Sequence, residues 1–288
     1  VDDTKHPFKL YGKQGYGDAR GIWQTVYLEA RPLISISEIY FTPDIDNEKV
    51  NVKAVFSDPS SSEMKFEIRF KTGNVSDIEK NVPQGTRDIE FDVEIPAPNL
   101  WSLDDPFLYE VDAILTNKSG QTDRVSSYFG MRKISVMNLP GTDYPYIALN
   151  NKPVYLQTAL DQAYHPEGYY TYPSDAFMRD EILRTRRIGL NGQRIHVKID
   201  HPRKLYWADK LGVLIMADIP NSWGEPDSAM RRETETALRG MIKRDYNHPA
   251  IFSWVLFNET WGLFSKDGND KRIYKKETQD WVESMYHL

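Results

Sequence analysis

Residues 245–262 read DYNHPAIFSWVLFNETWG. The stretch opens polar, runs apolar from Ala250 to Phe257, and then sets Asn258 and Glu259 side by side before Trp261. A short continuous apolar run between polar flanks predicts a strand buried on both faces, as in a parallel sheet. Upstream the same rhythm recurs. KPVYLQTAL (152–160), NGQRIHVKI (191–199) and VLIMADIP (213–220) are strand candidates. SDAFMRDEILRTRRIG (174–189), RKLYWADKLG (203–212) and SAMRRETETALRGMIKRDY (228–246) separate them with helical spacing. Ser174 or Asp175 is placed to cap the first helix, and Gly189 and Gly212 to stop the first two. On the third, Met230, Thr234, Leu238 and Met241 share one face. KRIYKKETQDWVESMYHL (271–288) predicts a fourth helix.

Strand–helix repeats of this kind imply a parallel sheet covered by helices. Four units amount to half of an eightfold (β/α)8 TIM barrel, and the competing arrangement is an open doubly wound sheet. No Gly-rich phosphate loop follows any strand to favour a nucleotide fold.

Before residue 145 the period changes. LISISEIYF, VNVKAVF, MKFEIRF, IEFDVEI and FLYEVDAIL, between residues 33 and 115, place apolar side chains at every second position. That alternation buries one face of a strand and wets the other. Turn-rich breaks such as SDPSSSE and KTGN separate the segments, so an antiparallel immunoglobulin-like β-sandwich is expected.

Composition narrows the function. The formal net charge of −6 argues against nucleic acid as the main partner. With zero cysteines, a disulfide framework, a thiolate nucleophile and Cys-ligated metal are excluded. No apolar run approaches the ~20 residues of a membrane span. The six histidines show no metal-ligand spacing, and no cofactor is expected. The 7 Trp and 17 Tyr supply flat surfaces suited to sugar rings, as well as core. The opening VDDTKHPFKL lacks an initiator Met and reads as the interior of a longer chain.

In a β/α barrel the reactive groups gather at the carboxyl ends of the strands. Here those ends carry Asp161, Gln162, Tyr164 and His165; then Arg194, His196 and Lys198; then Asp218, Asn221 and Trp223; then Asn258, Glu259 and Trp261. Four polar and aromatic ends in phase predict a cleft. A carboxyl at an apolar mouth is desolvated and stays protonated near neutrality, as a general acid needs, so Glu259 is the leading candidate. Taken alone, the Asn-Glu dipeptide reads better as a helix cap or a solvent-facing pair, and only its wider context reverses that. Asp161, His165, His196 and Asp218 are candidate sugar ligands, with loop and capping hydrogen bonds as the competing account. Trp223 and Trp261 are candidate stacking platforms, with core packing as theirs.

Four segments together resemble glycoside hydrolase family 2, the β-galactosidase and β-glucuronidase family. They are GIWQTVYLEARP (21–32), LWSLDDPFLYEV (100–111), YFGMRKI (128–134) and RDYNHPAIFSWVLFNE (244–259). The resemblance implies the tail of a jelly-roll sugar-binding domain over 1–31, the immunoglobulin-like sandwich over 32–136, and the first half of a TIM-barrel catalytic domain over 137–288. It implies a retaining exo-β-glycosidase with Glu259 as general acid/base, Asn258 on the sugar 2-hydroxyl and Arg194 supporting the catalytic carboxylates. The family's carboxylate nucleophile falls on a later strand, so residues 1–288 alone are expected to be inactive or nearly so. Where many members carry Ser-His-Tyr-Pro, this chain has Ile195, His196, Val197 and Lys198, and where many carry Asp-Glu it has Ala217-Asp218. A carbohydrate substrate, pairing with a missing half-barrel or with a second copy, and a periplasmic or extracellular setting are the accompanying expectations. The rival reading is a non-catalytic carbohydrate-binding or interaction module on the same scaffold.

Overall fold

The computed structural model describes residues 21–221, 224–259 and 262–288. Seven strands form two antiparallel sheets. One is ordered β1-β2-β5 and the other β4-β3-β6-β7. Their ranges are β1 Ile36–Asp44, β2 Lys49–Phe56, β3 Met64–Phe70, β4 Ile78–Val82, β5 Asp88–Glu94, β6 Tyr109–Asn117 and β7 Thr122–Phe129. Alternation sets the inner face: Val50, Val52, Ala54 and Phe56 of β2 oppose Tyr109, Val111, Ala113 and Leu115 of β6 in one core. Phe129 stacks between Phe41 and Tyr109, with ring centroids 4.7 and 5.2 Å away. This is the immunoglobulin-like sandwich expected. Two of its strands escaped the sequence reading. Both β4 and β7 are sheet edges with mostly wet side chains, so neither shows a clear period of two.

An antiparallel trio, β8 Ile134–Asn138, β9 Pro145–Leu149 and β10 Lys152–Pro153, follows the sandwich and was not anticipated either. Residues 152–160, read as one strand, divide between β10 and β11 Thr158–Asp161. Then comes a four-stranded parallel sheet in the order β11-β12-β13-β14, with β12 Gly192–Ile195, β13 Leu214–Asp218 and β14 Ile251–Val255. Neighbours in space are neighbours in sequence, without the reversal a doubly wound sheet requires. Helices α1 Asp175–Arg187, α2 Pro202–Leu211 and α3 Ser228–Asp245 connect the strands. Near the end come the short pair β15 Ser265–Lys266 and β16 Arg272–Ile273, then α4 Lys276–Tyr286. Ser174 caps α1 through Oγ, which accepts the Phe177 N–H at 3.1 Å. Gly212 ends α2 at φ 67°, ψ 53°, the left-handed conformation that favours glycine.

Expected burial of β14 on both faces needs correction. Ile251 is buried, but Phe252 through Phe257 are only half-buried, because β14 is an edge strand of this sheet. At the opposite edge, Thr158, Ala159 and Leu160 of β11 are exposed.

The turn Asn247-His248-Pro249 feeds β14 and docks the parallel sheet on the sandwich. Asn247 Oδ1 accepts the Phe41 N–H at 2.9 Å, and its Nδ2 donates to Ile39 O at 2.8 Å. Arg132 donates to the carbonyls of Pro249 and Ile251 at 3.0 and 2.8 Å. Asp209 on α2 collects the rest. It accepts Tyr128 OH at 2.8 Å and the Ala250 N–H at 2.9 Å, and pairs with His248 Nδ1 at 2.5 Å. Its carbonyl takes the Trp101 indole N–H at 2.8 Å.

Candidate functional site

Gly192 begins β12 where the sheet is tight. A Cβ there would meet Thr158 Cγ2 at 2.9 Å and Leu214 O at 3.0 Å. Two residues on, Arg194 reaches toward the carboxyl ends of β13 and β14. Its Nε and Nη2 grip Asp218 at 3.1 and 2.8 Å, and Nη2 also donates to Asn258 Oδ1 at 2.8 Å. Asp218 is 1% exposed, and its Oδ2 also accepts the Val197 N–H at 3.1 Å. Asp218, a candidate sugar ligand by sequence, is engaged here with Arg194 and the Val197 N–H.

A guanidinium has donors only, so Asn258 must turn Oδ1 toward Arg194 and Nδ2 away. Among the described residues that Nδ2 has no hydrogen-bond partner, although Asn258 is 3% exposed. A buried donor without a partner costs about 1–3 kcal/mol. Adjacent Glu259 adopts φ 55°, a left-handed conformation uncommon for a residue with a side chain. The described residues leave Glu259 exposed, so the desolvation expected at an apolar mouth is not supplied by them.

Asp161 and His165 are drawn elsewhere. Asp161 Oδ1 accepts the Ala163 N–H at 2.7 Å, and Oδ2 pairs with Lys204. Lys204 is fully buried and also meets Glu181 at 3.1 Å, Asp200 at 3.7 Å and Tyr172 OH at 3.1 Å. Burial disfavours its charge, but Asp200 and Asp161 outweigh that and hold its pKa well above the usual lysine value. Beside it, Lys198 donates to Ala163 O at 2.9 Å and Tyr170 O at 3.1 Å, and lies 4.6 Å from the Trp23 ring centre. Burial pushes its pKa down despite Asp200 at 3.2 Å. This charge cluster pins the loop after β11 from below. His165 braces the same loop, its Nδ1 accepting the Glu167 and Gly168 N–H groups at 3.2 Å. His196 is buried, with Nδ1 3.0 Å from Gln162 Oε1. Trp223 and Trp261 lie outside the described residues.

So Arg194, Asp218 and Asn258 come together, with Glu259 next in the chain, while Asp161 and His165 serve the loop. The sequence reading missed Lys204, Asp200 and Glu181. The available signal was a lysine beside Leu205 on the apolar face of α2, four residues after an aspartate. Among the described residues, no group of three His, Asp or Glu is arranged to hold a metal ion.

Residues 34–132 match the family model described as Glycosyl hydrolases family 2. A β-galactosidase of Pseudoalteromonas haloplanktis is 25% identical over 263 residues, covering 83% of this chain and 24% of the relative. A putative β-glucuronidase of Formosa agariphila is 26% identical over 280 residues, covering 94% of this chain and 32% of the relative. Among solved structures, a β-glucuronidase of Parabacteroides merdae superposes with a TM-score of 0.72 at 20% identity, over 88% of this chain and 32% of that one. A β-galacturonidase of Eisenbergiella tayi gives 0.71 at 19% identity, over 88% and 44%. The chain thus spans about a quarter to a third of the length of these curated relatives.

Proposed function

We propose that this chain, whose residues 34–132 match the glycosyl hydrolase family 2 model, carries the acid/base side of a retaining exo-β-glycosidase of that family. Glu259 protonates the glycosidic oxygen as the C–O bond breaks, then takes a proton from the water that releases the sugar. Asn258 Nδ2 donates to the hydroxyl beside the reacting carbon and so orients the sugar for attack. Arg194 and Asp218 keep that amide in place. The carboxylate nucleophile would come from a later strand, about 5–5.5 Å from Glu259. In this reading β11–β14 are the first half of a TIM barrel within 137–288, preceded by the sandwich over 32–136 and, over 1–31, the tail of a sugar-binding domain. The sequential order of the parallel strands and their half-covered edges support it. Later strands would also bury Glu259.

The observation that carries the reading is the buried Asn258 Nδ2, without a partner among the described residues and fixed by Arg194 next to a carboxylate at a strand end. The test is hydrolysis of aryl β-galactosides and β-glucuronides. Residues 1–288 alone should show no significant turnover. Joined to the strands that follow, Glu259→Gln should lower kcat/KM for poor leaving groups by roughly 10²–10⁴-fold. Robust turnover by 1–288 that Glu259→Gln abolishes would overturn the division of labour. The exposure of Glu259 favours a second reading, a non-catalytic carbohydrate-binding module. That reading requires saturable binding of the same glycosides with no turnover even in the longer protein.

A further inference from the structure

Asn221, three residues beyond Asp218, joins the ends of β13 and β14. It is buried. Its Nδ2 donates to Ile219 O at 3.1 Å and, at a longer 3.5 Å, to Leu256 O. Carbonyls accept only, so these contacts fix which way the amide points. Its Oδ1 is thereby presented to the backbone N–H of Asn258, which it accepts in a short hydrogen bond. Asn258 is then held at two atoms from two strands, its backbone N by Asn221 and its Oδ1 by Arg194. Asn258 is the last fixed point before Glu259, whose left-handed backbone sets the direction of the carboxyl. A residue at φ 55° keeps that conformation only where its surroundings impose it.

We propose that Asn221 is a positioning residue for acid catalysis: by clamping the Asn258 amide it fixes the approach of Glu259 to the leaving-group oxygen. Asn221 itself touches no reacting atom. The inference rests on the glycosidase reading, yet two of its consequences separate from it. The first needs no activity. Backbone amide exchange of Asn258, followed by NMR in residues 1–288, should quicken at least about tenfold in Asn221→Ala. Unchanged Asn258 exchange in Asn221→Ala would overturn the proposal.

The second uses the longer protein with phenyl and 2,4-dinitrophenyl β-glycosides of galactose and glucuronic acid. Phenoxide needs a proton as the C–O bond breaks, whereas dinitrophenoxide departs readily without one. Asn221→Ala should lower kcat/KM for the phenyl substrate by roughly 100-fold, the scale of an ångström misplacement. The loss should be far smaller for the dinitrophenyl substrate. An equal loss on both substrates means a merely structural role and rejects the proposal. If Glu259→Gln shows no leaving-group dependence, the glycosidase reading fails, and Asn221 as a catalytic positioner fails with it. If Glu259→Gln shows it and Asn221→Ala does not, the Asn221 proposal alone fails.

Discussion

Lys204 stands at an apolar position of α2 with no exposed surface, and three carboxylates surround it. Removing one partner of a buried ion pair strands the others. Lys204→Met should therefore destabilise the chain by about 3–5 kcal/mol in urea unfolding. Loss below about 1 kcal/mol would mean the cluster is wetter than described. Residues of this kind are illegible in sequence, because patterning assigns a lysine to the solvent side. Asn258 and Glu259 were legible because they interrupt an apolar run where a strand must end. What sequence could not supply is direction: that Asp218 turns inward to Arg194, or that Asp161 turns down to Lys204, depends on partners 24 and 43 residues away.

Elements with strong local signals were read correctly, and α1 and α2 owe this to Ser174 and Gly212. Gly212 does more than end a helix. A Cβ there would come within 2.4 Å of Leu103 O, on the segment leading into β6. Gly212→Ala combines that clash with left-handed strain, and should cost about 1–3 kcal/mol. Thermal or urea unfolding checks it, and a neutral result would show that the segment at Leu103 yields. The elements read poorly share a cause. Edge strands β4, β7 and β14 have one or both faces partly wet, so their side chains do not reveal their pairing. Strand β14 was recognised as a strand, but its apolar run concealed its place at the edge.

At the scale of the whole molecule, sandwich and parallel sheet meet around His248. Burial disfavours its charge, but Asp209, by charge and by hydrogen bond, outweighs this and raises its pKa above the ordinary 6.5, helped by Asp245 and opposed by Arg244. The folded state thus holds this proton more tightly than the unfolded chain. The stabilisation is fully present below about pH 6.5 and is lost as pH rises through the folded value. Stability measured by urea unfolding should fall across that window, and His248→Gln should flatten the fall. An unchanged slope in His248→Gln would assign the pH dependence to other groups. The same turn has a consequence for recognising such chains. Asn247, His248 and Pro249 are committed to joining two bodies, and Glu259 stands at the other end of the strand they feed. A pattern spanning 245–262 therefore scores an assembly requirement and the proposed chemical one as a single word. A descendant that had exchanged its Glu259 would still spell most of that word and still dock, so detecting the phrase certifies how the chain is put together before it certifies any reaction.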